Sequence, residues 1–215
     1  PRSFARRFIA GEQIEDAIAA ARSLEARGLR LTLDYLGESV TTTAQATAAT
    51  REYLRLIDDI VASGIERNVS LKLSQLGLAI DRATCVDNMR RILEPAGRHE
   101  FFVRLDMEHS EYTEVTLEVF ETLWNLDHRN IGVVLQSYLL RTDRDLHRMN
   151  ELGARVRLVK GAYREPASVA YQQKADVDAA YLRQMRRLLD HGVYPAFATH
   201  DMALVEQYGR RVLEL

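Results

Sequence analysis

Cysteine occurs once in 215 residues, at Cys85. No intrachain disulfide can form, and a cysteine-rich zinc site is equally out of reach. Neither sign of charge is in excess: 29 Lys and Arg stand against 31 Asp and Glu, a formal net charge of −2. That balance is the wrong footprint for holding nucleic acid by its phosphates, so no nucleic-acid partner is expected. The basic pairs Arg6-Arg7 and Arg186-Arg187 lie in helical patterns beside acids and read as solvated helix faces. No run reaches the roughly 18 apolar residues that a spanning helix needs. Pro1 to Ala10 is arginine-rich and lacks the apolar centre of a signal peptide. The expected compartment is the cytoplasm, with a peripheral contact at the inner face of a membrane still compatible. A Gly-x-Gly-x-x-Gly after the first strand is also missing, which removes the signature of a dinucleotide-binding open sheet.

What is present is ordinary in composition, 47% hydrophobic and 28% charged, and regular in pattern. Helical runs alternate with short β-rich runs. Ile14 to Arg27 places Ile14, Ala17, Ile18, Ala21 and Leu24 on one helical face, and Gly28 follows as a stop. Thr43 to Ser63 repeats the pattern and ends at Gly64. Gly153 and Gly192 close two later helical runs in the same way. The strand-like runs are Leu29–Asp34, Val69–Ser74, Phe101–Met107, Ile131–Gln136, Val156–Lys160 and Tyr194–Thr199. Cys85 stands before a helical stretch and reads as structural. Strands separated by helices imply βαβ units and a parallel sheet. Both an open doubly wound sheet and a barrel fit that period. The barrel is the better reading, because every strand ends in reactive polar residues, where a β/α barrel keeps its chemistry. The expectation is one domain over residues 1–215: a distorted (β/α)8 TIM-type barrel with about six strands present, its last strands and helix lying beyond Leu215.

The strand ends offer Asp34 and Glu38, Lys72 and Ser74, Asp106, Glu108 and His109, Gln136 and Tyr138, Lys160 and Tyr163, and Thr199, His200 and Asp201. A charge inside a central parallel strand is costly unless paired, and Lys72, Arg104, Asp106, Arg157 and Lys160 all sit in such runs. Lys72 and Asp106 on neighbouring strands could simply neutralise each other. Arg104 shares a face with Asp106 by the period of two and reads as its structural partner. Arg157 and Val159 share one face while Lys160 takes the other. His200 alone fits a satisfied core histidine, and Glu108 and His109 fit structural roles past the strand. Gly161 after Lys160 opens a turn whose N–H groups could face an anion.

Taken together, these segments resemble proline dehydrogenase of the bacterial monofunctional kind. The resemblance rests on Arg157-Leu-Val-Lys-Gly-Ala-Tyr163, with Lys72-Leu-Ser74, Arg104-Leu-Asp-Met-Glu108, Leu135-Gln-Ser-Tyr138, Ala198-Thr-His-Asp201 and Phe8-Ile-Ala-Gly-Glu12 around it. It implies a distorted β/α barrel that binds FAD without a covalent bond. The implied reaction moves a hydride from L-proline to flavin N5, gives Δ1-pyrroline-5-carboxylate and passes electrons to a membrane quinone, the first step of proline breakdown to glutamate. It further implies Arg157 near flavin N5, Gln136 on the flavin ring, and Met107 lining that site. Val159, Lys160, Gly161 and Ala162 hold the cofactor along the fifth strand in this reading, and Thr199 and His200 contact its ribityl-diphosphate part. Lys72 and Tyr163 are the implied substrate contacts, and Asp106 fixes Lys72 and orients the site.

The sequence departs from that pattern at its end. The resemblance implies a tandem arginine pair gripping the proline carboxylate and a tyrosine packed on the ring, both beyond Leu215. Arg210-Arg211 comes too early and reads as a surface pair, so the chain as written is expected to bind substrate poorly. Two other readings remain at this stage. One is a Schiff-base aldolase using Lys160 or Lys72. The other is a non-catalytic partial barrel with open sheet edges.

Overall fold

In the computed structural model, residues 10–11, 13–37 and 40–214 are described, the side chains only as far as Arg210. Phe8, Ile9, Glu12, Glu38, the Arg6-Arg7 pair and the Arg211 side chain therefore lie outside the described residues. The elements alternate strictly: α1 (Ile14–Glu25), β1 (Leu33–Asp34), α2 (Thr43–Ser63), β2 (Asn68–Leu71), α3 (Arg82–Arg98), β3 (Phe102–Leu105), α4 (Thr113–Asn125), β4 (Ile131–Gln136), α5 (Thr142–Glu151), β5 (Arg155–Val159), α6 (Lys174–His191), β6 (Ala196–Ala198) and α7 (Met202–Glu214). Short 3-10 turns follow β2 at Leu73–Leu76 and β3 at Ser110–Tyr112.

The strands hydrogen-bond in chain order, β1-β2-β3-β4-β5-β6. A doubly wound sheet must reverse its strand order at a switch point, whereas a β/α barrel adds each strand beside the last. The order therefore selects the barrel-type fold. Leu33 pairs with Val69, Val133 with Val156 and Arg157 with Ala196, all in parallel register.

The chain forms two compact units. One runs to Arg104 and takes in Thr122–Asn130; the other comprises Leu105–Glu121 and the chain from Ile131 onward. In the first, Thr42 caps α2: its hydroxyl accepts from Gln45 N–H while the Gln45 side chain accepts from Thr42 N–H. Tyr53, Ile57 and Ile60 of α2 are buried with Val69 and Leu71 of β2 and Cys85, Met89 and Ile92 of α3. Cys85 lies within α3, not before it, and is fully buried. Asp81 caps that helix, accepting from Thr84 N–H at 2.7 Å.

In the second unit β4 is buried along its whole length, as its unbroken apolar run requires of a central parallel strand. Val156 and Leu158 of β5 are buried with Tyr181, Met185 and Leu188 of α6, while Arg155, Arg157 and Val159 alternate to the more open face. Arg141 and Arg148 of the α5 region hold α4 through Glu114 and Glu121.

Several boundaries differ from the sequence expectation. β1 is two residues long because the preceding Leu31 N–H and Thr32 hydroxyl bond to the side chains of Glu66 and Asn68 instead of a ladder. β2 stops at Leu71, where the chain tightens into the 3-10 turn. The glycine after α6 also differs. Gly64 and Gly153 take the left-handed conformation at φ 73° and 71°, but Gly192 is extended at φ −85°. Gly192 serves there by close approach, since an added Cβ would come within 2.5 Å of the Leu188 carbonyl oxygen.

Candidate active site

The strand ends of the first unit converge on one lysine and one glutamine. Lys72 lies just past β2, and its ammonium donates to Asp34 at the end of β1 at 2.8 Å. Gln75, fully buried in the following turn, ties this region together. Its amide donates to Tyr35 C=O at 2.6 Å, and its carbonyl oxygen accepts from the Tyr53 hydroxyl at 2.9 Å and from Lys72 N–H at 3.3 Å. A glutamine using both ends in this way fixes the backbone on which Lys72 stands. Arg104 of β3 lies over the Phe102 ring, 5.0 Å from its centroid, on the same face of the strand.

The second unit carries most of the other polar strand ends. Arg157 of β5 donates to Asp106, just beyond β3, at 2.5 Å. The pair is mostly shielded, with side chains 21% and 15% exposed. The register places Val134 beside Arg157 and Gln136 beside Val159. The buried Gln136 amide donates to Met107 C=O at 3.4 Å and Glu108 C=O at 3.2 Å, so β4 holds the segment that follows β3. Two polar atoms here are buried without a hydrogen-bond partner among the described residues: Oε1 of Gln136 and Nε of Arg157. One is an acceptor and the other a donor, next to the same β3 end. Buried polar groups are normally satisfied.

Arg157 and Lys160 diverge, as the alternation of β5 demands. Lys160 turns to Asp178 of α6 at 2.5 Å and to Asp201 ahead of α7 at 3.0 Å. Lys174 donates to the same two carboxylates. The Lys160 hydrogen bond, with Lys174 second, brings the Asp201 carboxyl down to about 2. Burial works to raise Asp178, but hydrogen bonds from both lysines outweigh it and leave that carboxyl below the usual range. Lys174 is raised in turn, chiefly by Asp178.

Past β5 the backbone turns at Gly161 with φ 116°. Tyr138 N–H donates to Lys160 C=O at 2.9 Å, and Tyr171 N–H to Tyr138 C=O at 2.8 Å, so Tyr138 is gripped from both ends of the β5–α6 loop. Burial pushes the Tyr138 hydroxyl up to about 12. Ala162 is exposed and Tyr163 half-buried. The Tyr163 ring rests on His109, centroids 4.1 Å apart. Thr199 takes part in a turn, its hydroxyl accepting from Asp201 N–H at 3.1 Å. His200 is exposed, which removes the core-histidine reading. Arg210 is exposed on α7. Met107 and Glu108 are both buried.

Two residues with clear positional roles, Gln75 and Glu165, are not singled out by the sequence. Their partners lie 40 and 55 positions away, and no local period marks such pairs.

A parallel sheet in chain order, with charged and amide side chains gathered past its strands, defines a β/α-barrel enzyme. The chain belongs to the proline dehydrogenase family, whose sequence profile matches residues 17–210. It is 41% identical over 215 residues to a proline dehydrogenase of Deinococcus radiodurans, covering 98% of this chain and 69% of that one. It is 37% identical over 202 residues to proline dehydrogenase 2 of Bacillus subtilis, covering 94% and 66%. The structure of proline utilization A from Bdellovibrio bacteriovorus, inactivated by N-propargylglycine, superposes with a TM-score of 0.85 at 25% identity, over 95% of this chain and 27% of that one. The chain thus spans about two thirds of the length of these curated relatives. Among the described residues, no helix is long and apolar enough to cross a membrane.

Proposed function

We propose that the protein carrying this chain oxidises L-proline to Δ1-pyrroline-5-carboxylate with a non-covalently bound FAD, and passes the electrons to a quinone. The observation that carries the reading is the cluster of Arg157, Asp106 and Gln136, in which a guanidinium N–H and an amide oxygen are buried without partners. An isoalloxazine edge offers both acceptors and a donor, so the two orphaned atoms fit such a group. When bound, the flavin supplies the hydride acceptor.

The chain's own residues then do the following. Asp106 holds the Arg157 guanidinium at a fixed angle, leaving its Nε–H free to donate. A fixed cation there favours negative charge that develops as a hydride arrives. Gln136 binds Met107 and Glu108 through its amide and presents its carbonyl oxygen as an acceptor. Val159 and Met107 supply apolar walls, and Gly161 and Ala162 allow close backbone approach along β5. Thr199 and His200 stand at the end of β6, where they would reach the ribityl-diphosphate part. Lys72, fixed by Asp34 and Gln75, would meet the substrate carboxylate, and Tyr163 would close over the ring.

The Schiff-base alternative has less support. Its nucleophile must be a neutral amine, whereas Lys160 is shared between two carboxylates and Lys72 donates to Asp34.

The test is a visible spectrum of the full-length protein before and after L-proline without oxygen. Flavin bands that bleach are the expected result. Bands that persist would keep the flavin and count against proline as the substrate. A colourless protein that FAD does not restore would overturn the cofactor assignment.

A further inference from the structure

The loop between β5 and α6 carries Tyr163 and has no regular structure of its own. Several attachments hold it. Gly161 lies against Tyr138 at its start; near its end Ala170 bridges to Leu139 and Val169 C=O accepts from Leu140 N–H at 2.9 Å. Between the two ends, the buried side chain of Glu165 is an anchor. Its carboxylate accepts from Ser110 N–H at 2.7 Å and from the Ser110 hydroxyl, and His109 Nδ1 stands 3.6 Å away. The Glu165 side chain is 6% exposed. Burial would raise such a carboxyl, but the two Ser110 hydrogen bonds and His109 outweigh it, and Glu165 lies below the ordinary range. The Tyr163 ring, two residues earlier, is seated on the same His109.

We infer that Glu165 is a positioning residue: by clamping the loop onto His109 and Ser110, it sets the Tyr163 ring where proline must pass. This rests on the reading that Tyr163 meets the substrate. Glu165 touches neither proline nor cofactor. Its effect should appear in substrate capture more than in the chemical step.

The test uses the full-length, flavin-loaded protein. Glu165→Ala should raise the KM for L-proline about tenfold, with kcat changed less than about threefold, as expected when a binding group is misplaced rather than lost. Glu165→Gln keeps an acceptor for Ser110 N–H and should fall between the two, which also covers the case in which the alanine variant does not fold. Ser110→Ala should add little to Glu165→Ala, since both break one clamp. Hydrogen–deuterium exchange over residues 160–173 should rise in Glu165→Ala. Unchanged exchange would overturn the clamp, and raised exchange with an unchanged KM would overturn the positioning of Tyr163. An unmodified protein inert toward proline would instead count against the proposed function, while raised exchange in the variant would still support the clamp.

Discussion

Gly161 passes so close to the ring of Tyr138 that a Cβ added there would lie 2.3 Å from it. The same residue has φ 116°, a region that side-chain-bearing residues rarely enter. Gly161→Ala therefore meets a steric and a backbone penalty together, a cost of about 1–3 kcal/mol. Gly97, inside α3, is the control: its added Cβ would make only an ordinary 3.7 Å contact with Asn130. Gly97→Ala should stabilise by about 0.5–1 kcal/mol. Denaturant melts of both variants would check the opposite signs.

Arg157 is placed by Asp106, and the proposed chemistry needs the guanidinium in its forked geometry. Arg157→Lys keeps the charge but not the fork. It should slow proline-dependent flavin reduction by about 10²-fold or more, the scale of losing one preorganised electrostatic contact. Rapid-mixing absorbance without oxygen measures this. A rate within about twofold of the parent would remove Arg157 from the reaction.

Gln136 does two jobs, and one variant removes both while two readouts follow them. Gln136→Met preserves volume and removes the donors to Met107 and Glu108. The loss of that hydrogen bonding should cost about 1–3 kcal/mol of stability. Flavin affinity, read by fluorescence titration of flavin-stripped protein, should weaken as well. Unaltered affinity would show that its carbonyl oxygen plays no part in cofactor binding.

Asp201 gives a pH window. Its carboxyl is lowered to about 2, first by Lys160 and then by Lys174. A lowered folded value means that the unfolded chain takes up the proton first as pH falls. The stabilisation is complete above the unfolded value of about 3.9 and is lost as pH drops toward about 2. Asp201→Asn should melt below the parent above about pH 5, and the gap should close on descending through that window. A gap that stays constant would show that Asp201 does not titrate there.

Legibility followed the range of the interactions. β4 matched its expected span, Ile131–Gln136, because an unbroken apolar run between helices has few other destinations. The span of α2 was equally plain from its stripe and Gly64, and the structure adds the Thr42 cap. β1 was overestimated, since Leu31 and Thr32 satisfy themselves on the side chains of Glu66 and Asn68, contacts that a pattern of propensities does not contain. The opposed directions of Arg157 and Lys160 followed from the period of two. Their partners did not: Asp106, Asp178 and Asp201 come from separate elements. Glu165 was invisible for the same reason, its worth depending on a serine 55 positions earlier.

The strand order β1 to β6 also bears on how the protein is made. Residue 33 pairs with 69, 133 with 156 and 157 with 196, so each of these six strands has a chain neighbour as its partner. Each βα unit finds its docking edge already synthesised when it leaves the ribosome. These six strands can therefore add one after another as the chain emerges.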